Sequence, residues 1–399
     1  MRRRLRIAVP FAAITLAIGL AVGWTAVATA GVHGQRAQAA GMAGAGRTAS
    51  RSAVPWSQVG PGWTLVTYTT ATPFAGPPKA GATTLYLVDP AGGKYVMYRW
   101  PHVPADGGVA LIAWSGDGAR AMLGVATNPK STAAELEQLT LATGKLTRLP
   151  LPAGASVIGY TRPDGLAVLA YRSLASPAEI QLARYSLSGA LEKVLFTQKT
   201  GSTGGGFVNT GQSPYNPDGT AIALTVGQSA TAAGHTVLIS NAGGLIRRFT
   251  SADSCLVVGW WTASQLLTDN CADNRLFLTP VSGAKPVPLT PASTSAYRFL
   301  EDAWQLAGHV YVQQSGPACG TGALGVVRGG HVVTVATAPR GAVIATTSAS
   351  RLLIVAEHCM ASSGLLWFNP ANSTKVQVLG TNQGQGVIGW VPYYKVNGA

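Results

Sequence analysis

Trp114-Ser-Gly-Asp-Gly-Ala-Arg-Ala-Met-Leu123, Thr161-Arg-Pro-Asp-Gly-Leu-Ala-Val-Leu169 and Tyr215-Asn-Pro-Asp-Gly-Thr-Ala-Ile-Ala-Leu224 are three copies of one phrase. Each runs from an Asp-Gly turn into an apolar strand. Asp-Gly favours a hairpin because glycine takes positive φ at little cost and aspartate tolerates turn geometry. Three further stretches keep the shape and lose the aspartate: Trp260-Trp-Thr-Ala-Ser-Gln-Leu-Leu267, Trp304-Gln-Leu-Ala-Gly-His-Val-Tyr-Val312 and Thr346-Thr-Ser-Ala-Ser-Arg-Leu-Leu-Ile-Val355. The small turn residue falls at Gly118, Gly165, Gly219, Ser264, Gly308 and Ser350, at intervals of 47, 54, 45, 44 and 42 residues. That is the period of a four-stranded propeller blade.

Outward from the turn, the apolar strand is followed by a loop and a strand that ends in a turn, as in Leu85-Tyr-Leu-Val-Asp-Pro90 and Leu366-Trp-Phe-Asn-Pro370. A short basic or polar strand, such as Lys145–Leu149 or Leu245–Phe249, closes the unit. Seven units follow, at about 62–100, 109–152, 156–198, 207–250, 254–290, 297–337 and 341–379. One such sheet cannot bury both faces, so the units must stack around an axis. The reading is all-β, a seven-bladed β-propeller with six or eight blades as alternatives, after an N-terminal membrane or signal helix. One strand is left over at each end. Gly386–Val391 resembles an innermost strand and can close the ring within the first blade, and residues 53–59 are the competing candidate. The aromatic residues four positions before the turns recur with the blades, so they are read as packing between blades and not as ligand platforms.

The strand, Trp-Ser-x-Asp-Gly, strand pattern resembles the TolB-like, WD40-like propeller repeats of exported bacterial proteins, whose phrase is W-S-P-D-G before an apolar strand. Here only Trp114 keeps both Trp and Ser, with Gly116 in place of the proline, and the last three units lack Asp-Gly. The resemblance implies a propeller and protein–protein scaffolding in the cell envelope. It implies no catalytic residue.

Composition agrees with a β class. Charged residues are 11% of the 399, glycine numbers 49 and proline 24. These proportions favour many turns over long helices. The chain opens Met-Arg-Arg-Arg-Leu-Arg and then runs uncharged and apolar from Ile7 to Ala30. Basic residues stay on the cytoplasmic side, so the rest of the chain crosses. Residues 1–30 are therefore a signal peptide or a transmembrane anchor. Ala28-Thr29-Ala30 and Ala37-Gln38-Ala39 both fit a cleavage site, and a 24-residue helix is long enough to span. Residues 31–52, rich in Ala, Gly, Ser and Arg, read as a flexible tether, and 53–399 as the propeller. Gly41–Thr48 comes within one residue of a phosphate-binding loop, without the strand, helix or lysine such a loop needs. The formal net charge is +14. Lys and Arg lie scattered along the chain with no aromatic interleaving, which argues against nucleic acid.

In an exported domain, four cysteines suggest two disulfides. Hairpin register about Ala263 sets Cys255 against Cys271, and Cys319 and Cys359 follow the second strands of adjacent units, where they could staple blade to blade. Metal binding is the lesser reading, because no C-x-x-C occurs.

No nucleophile elbow, zinc helix or calcium loop is present. No cofactor, metal or catalytic residue is expected. Glu301-Asp302 is the one adjacent acidic pair, at the entry of an inner strand into the central channel. Neighbours on a strand point to opposite faces, which argues against joint action. The expectation is a monomeric, extracytoplasmic propeller, secreted or held at the membrane through residues 7–30. It would bind an envelope protein, a peptide or a wall polymer. The alternative is a lyase or hydrolase whose channel site leaves no linear motif.

Overall fold

The computed structural model describes residues 46–394, apart from 72–78, 105–107, 127–134, 176–177, 200–204, 209–212, 229–233, 250–255, 271–274, 293–299, 316–321, 359–361 and 381–384. These residues form seven sheets, one per blade, antiparallel but for one added edge strand. Blades two to seven cover 108–148, 155–199, 205–248, 256–288, 300–334 and 342–379, with strands in sequence order from the axis outward. The units read from the turn spacing are these blades. The N-terminal strap lies outside residue 53, however, and it belongs to the domain.

Blade one closes the ring. Its innermost strand is Gly386–Pro392, followed outward by Thr64–Thr69, Gly81–Val88 and Lys94–Val103. Val66 faces Trp390 and Leu65 faces Val391 in the antiparallel ladder. The competing segment forms single helical turns at Arg51–Ala53 and Trp56–Gln58. Val54, Trp56 and Val59 pack on the blade-one core from outside.

The predicted tether ends earlier than residue 52. Thr48–Ser50 adds a fifth, parallel strand to the outer edge of blade one. The physical reason is the open edge of Lys94–Val103. The Lys94 N–H donates to Arg47 O at 3.0 Å, and Gly46 N–H donates to Gly92 O at 2.9 Å. Lys94 Nζ then donates to Gly46 O at 2.8 Å and to Val378 O of blade seven at 2.9 Å, tying the strap across the seam. Burial holds this ammonium below the usual lysine range.

The aromatic residues before the turns pack between blades. Trp114 clusters with Leu85 and Leu87 of blade one, Tyr160 with Met122 of blade two, Tyr215 with Leu169 of blade three, and Trp260 with Leu238 of blade four. The turns are of two kinds. In blades five, six and seven, two-residue loops join Thr262 to Gln265, Leu306 to His309 and Ser348 to Arg351. Ala307 and Gly308 both take positive φ, at 50° and 78°, as the tightest hairpin turn demands. The Asp-Gly turns are wider. Asp117, Asp164 and Asp218 each accept the backbone N–H two residues on, at 3.0, 3.0 and 2.9 Å. Aspartate stabilises the wide form, so the blades that lost it changed turn type.

Candidate functional site

The seven innermost strands wall the axis. In six of them the register against the second strand slips by one residue, leaving Ile112, Ile158, Val258, Glu301, Ala345 and Ile388 unpaired, and blade five slips a second time at Trp261, next to its turn. A bulge of this kind bends the strand and re-aims one side chain. Five of the six are apolar, and blade six alone carries a carboxylate. Among the described residues no Lys, Arg or His stands on an innermost strand, and Glu301 and Asp302 are the only ionisable acids there.

The two acids have different surroundings. Asp302 is 5% exposed, and its Oδ1 accepts the Ala303 N–H at 2.7 Å. Glu301 is exposed, and its Oε2 accepts from Gln313 Nε2 at 2.7 Å. The bulge and the strand alternation separate them, so they do not form a paired acid and base. What remains is one exposed carboxylate in a neutral wall, suited to recognising charge or hydrogen-bond donors. Among the described residues no three His, Cys, Asp or Glu side chains gather to hold a metal ion. All four cysteines lie outside the described residues.

The turn side of the channel holds a group that the repeat did not reveal. Beyond the closing strand, the Tyr393 N–H donates to Trp63 O at 2.7 Å, and its ring meets Trp114 edge-on at 5.2 Å. The next residue reaches farther around the ring. Tyr394 donates its hydroxyl proton to Tyr215 O of blade four at 2.6 Å, and the Arg162 guanidinium of blade three lies 3.9 Å over its ring. The tail thus ties blade one to blades two, three and four at this rim. Burial pushes the Tyr394 hydroxyl above the usual tyrosine range, while Arg162 pulls the other way. Burial lowers Arg162 to about 10, opposed by Tyr394, Tyr393 and Asp117. Gly116 is required nearby, since a Cβ on it would stand 1.9 Å from Pro163 O of blade three. Removing only the hydroxyl, by Tyr394→Phe, should lower unfolding free energy by about 1 kcal/mol in urea titrations. An unchanged midpoint would mean that the tail does not secure blade four.

No family model matches the chain, and no curated protein matches it in sequence. Solved structures do match in shape. A chain from a study of two prolyl endopeptidases aligns at TM-score 0.51 and 14% identity over 80% of this chain and 50% of that one. This chain therefore spans half of that endopeptidase. The β-propeller domain of the Trilobed protease from Pyrococcus furiosus aligns at TM-score 0.49 and 12% identity, over 80% and 93%. TolB from Acinetobacter baumannii aligns at TM-score 0.41 and 14% identity, over 83% and 67%. At such identities the likeness concerns architecture alone. Shape, strand order and repeat agree: the chain is a seven-bladed β-propeller whose ring is closed by its own C-terminal strand.

Proposed function

We propose that the chain is an exported, extracytoplasmic propeller that works as a binding or scaffold module for an envelope protein, a peptide or a wall polymer. The observation that carries this is the inner wall, which among the described residues is neutral on six blades and carries Glu301 as its one exposed carboxylate. A wall of this kind offers contact area and one charge to orient a partner. A propeller hydrolase or lyase would need a second group acting with Glu301, and the adjacent Asp302 is turned into the core. The full chain, immobilised and incubated with envelope extract, should retain a partner at native abundance that a Glu301→Arg chain retains poorly. Recovery no better than empty resin would overturn the reading.

Export is proposed from the basic start and the apolar run to Ala30. Whether the run is cleaved or retained, residues beyond it face an oxidising space. Two disulfides follow from this proposal, Cys255–Cys271 and Cys319–Cys359. The hairpin between the first two cysteines is less regular than simple register suggests. Thr262 faces Gln265, but after two slips Leu256 faces Asp269. Peptide mapping without reductant should recover both linked pairs from native material. Four alkylatable thiols would count against export.

A further inference from the structure

We propose that the flank made by the outermost strands of blades three and four docks on an anionic lipid surface. Large apolar side chains are exposed on this flank. Leu191 and Val194 of blade three are 51% and 37% exposed, and Leu245 and Ile246 of blade four 45% and 52%. Their neighbours on the same strands are basic and exposed: Lys193 and Lys199 on one, Arg247 and Arg248 on the other. The one acid on these two strands, Glu192, is taken by Arg184 at 2.9 Å.

The two strands meet at the seam between the blades. Gly244 N–H of blade four donates to Leu195 O of blade three at 2.8 Å, and a Cβ on Gly243 would meet Lys193 Cε at 3.2 Å. Arg247 extends the surface toward blade five, where a Cβ on Gly283 would stand 2.1 Å from its Nη1. Arg248 is oriented by His235, whose Nε2 accepts from Nη1 at 2.7 Å. Burial first, and then Arg248, holds His235 below its ordinary range, which keeps it a neutral acceptor.

Basic residues on an outermost strand deter edge-to-edge pairing. That role needs no leucine and isoleucine beside them, and a four-residue edge strand is already short. Apolar side chains flanked by Lys and Arg are the composition that enters a headgroup layer, the chains reaching the acyl boundary and the cations meeting phosphate. The residues beyond Ala30 keep a formal charge of +10 (14 less the four arginines of the start), which favours the same partner at longer range. Each cation near such a surface adds about fivefold to binding, and the attraction fades within a Debye length of about 10 Å at moderate salt.

The test is amide hydrogen exchange on the full chain mixed with vesicles of phosphatidylcholine alone or with added phosphatidylglycerol. Peptides covering 191–194 and 245–248 should exchange at least about tenfold more slowly on the anionic vesicles, with the effect abolished at high salt. The double variant Arg247→Glu, Arg248→Glu should lose this slowing while melting like the parent. Equal exchange on both vesicles would overturn the proposal. So would slowing that needs only concentrated protein and no lipid, which would instead identify a second copy of the chain. The channel reading does not depend on this result, because partner capture by Glu301 reads a different surface.

Discussion

A chain ending at Leu379 is expected to lose cooperative folding, since it lacks the strand that closes the ring. Gly386–Pro392 supplies the innermost ladder of blade one along all of Thr64–Thr69. It buries Val387 and Trp390 in one cluster with Val66 and Val88 of blade one and Val343, Val355 and Trp367 of blade seven. Stripping a buried tryptophan costs about 3–5 kcal/mol and a valine somewhat less. The loss also leaves Thr64, Thr67 and Thr69, all buried, facing an open channel edge. Together these approach the whole stability of an ordinary domain, about 5–15 kcal/mol. Contacts from blade seven to blade one survive at Lys94 and at Arg351, whose Nη2 donates to Pro90 O at 2.6 Å. They lie away from the axis and cannot replace an inner strand. The expected observation is low soluble yield and a broad thermal transition, partly restored by a peptide spanning 380–399 added in trans. A sharp transition within about 1 kcal/mol of the intact chain would show that the ring closes without this strand.

The same closure shows what the sequence could and could not reveal. Repetition made the blades legible, because every blade solves one problem with one phrase, and the turn spacing located each unit. The sequence favours Gly386–Val391 as the closing strand because it resembles an inner strand, and it leaves residues 53–59 open as the alternative because only pairing distinguishes them. Thr48–Ser50 escaped notice for a related reason. Three residues of a parallel edge have no alternation to read, and their neighbours have tether composition. Bulges are invisible in sequence too, and they decide which residue of Glu301-Asp302 is exposed and where the ladder beside Cys255 stands. The positive charge looked scattered because the cations of different blades are separated by about a blade length in sequence. The ring sets several of them, Lys145, Arg148, Lys193, Lys199, Arg247, Arg248 and Lys375, on outermost strands, and among the described residues it sets none on the innermost strands. Tyr394 lies outside any repeat, and its partners in blades three and four are distant in sequence, so nothing local marked it.

Trp304→Ala is expected to be the most damaging single substitution. The indole is fully buried, at 0% exposure. It packs with Leu306 and Tyr311 of its own blade and with Ile344, Leu352 and Ile354 of blade seven. Those partners belong to ladders on both sides, Leu306 paired with His309 and Ile344 with Ile354, so they cannot collapse into the space without breaking pairs. The cost therefore belongs at the upper end of the usual range, about 4–5 kcal/mol, because the cavity persists. Blades six and seven share this cluster, so the damage should weaken their interface as well as one sheet. Leu166→Ala is the control. That side chain is 58% exposed beside an Asp-Gly turn, and its loss should change stability by no more than about 0.5 kcal/mol. Urea unfolding of the two variants against the parent checks both. Similar midpoints for Trp304→Ala and Leu166→Ala would mean that the aromatic residues before the turns do not hold the blades together, and the packing account of the repeat would fail with them.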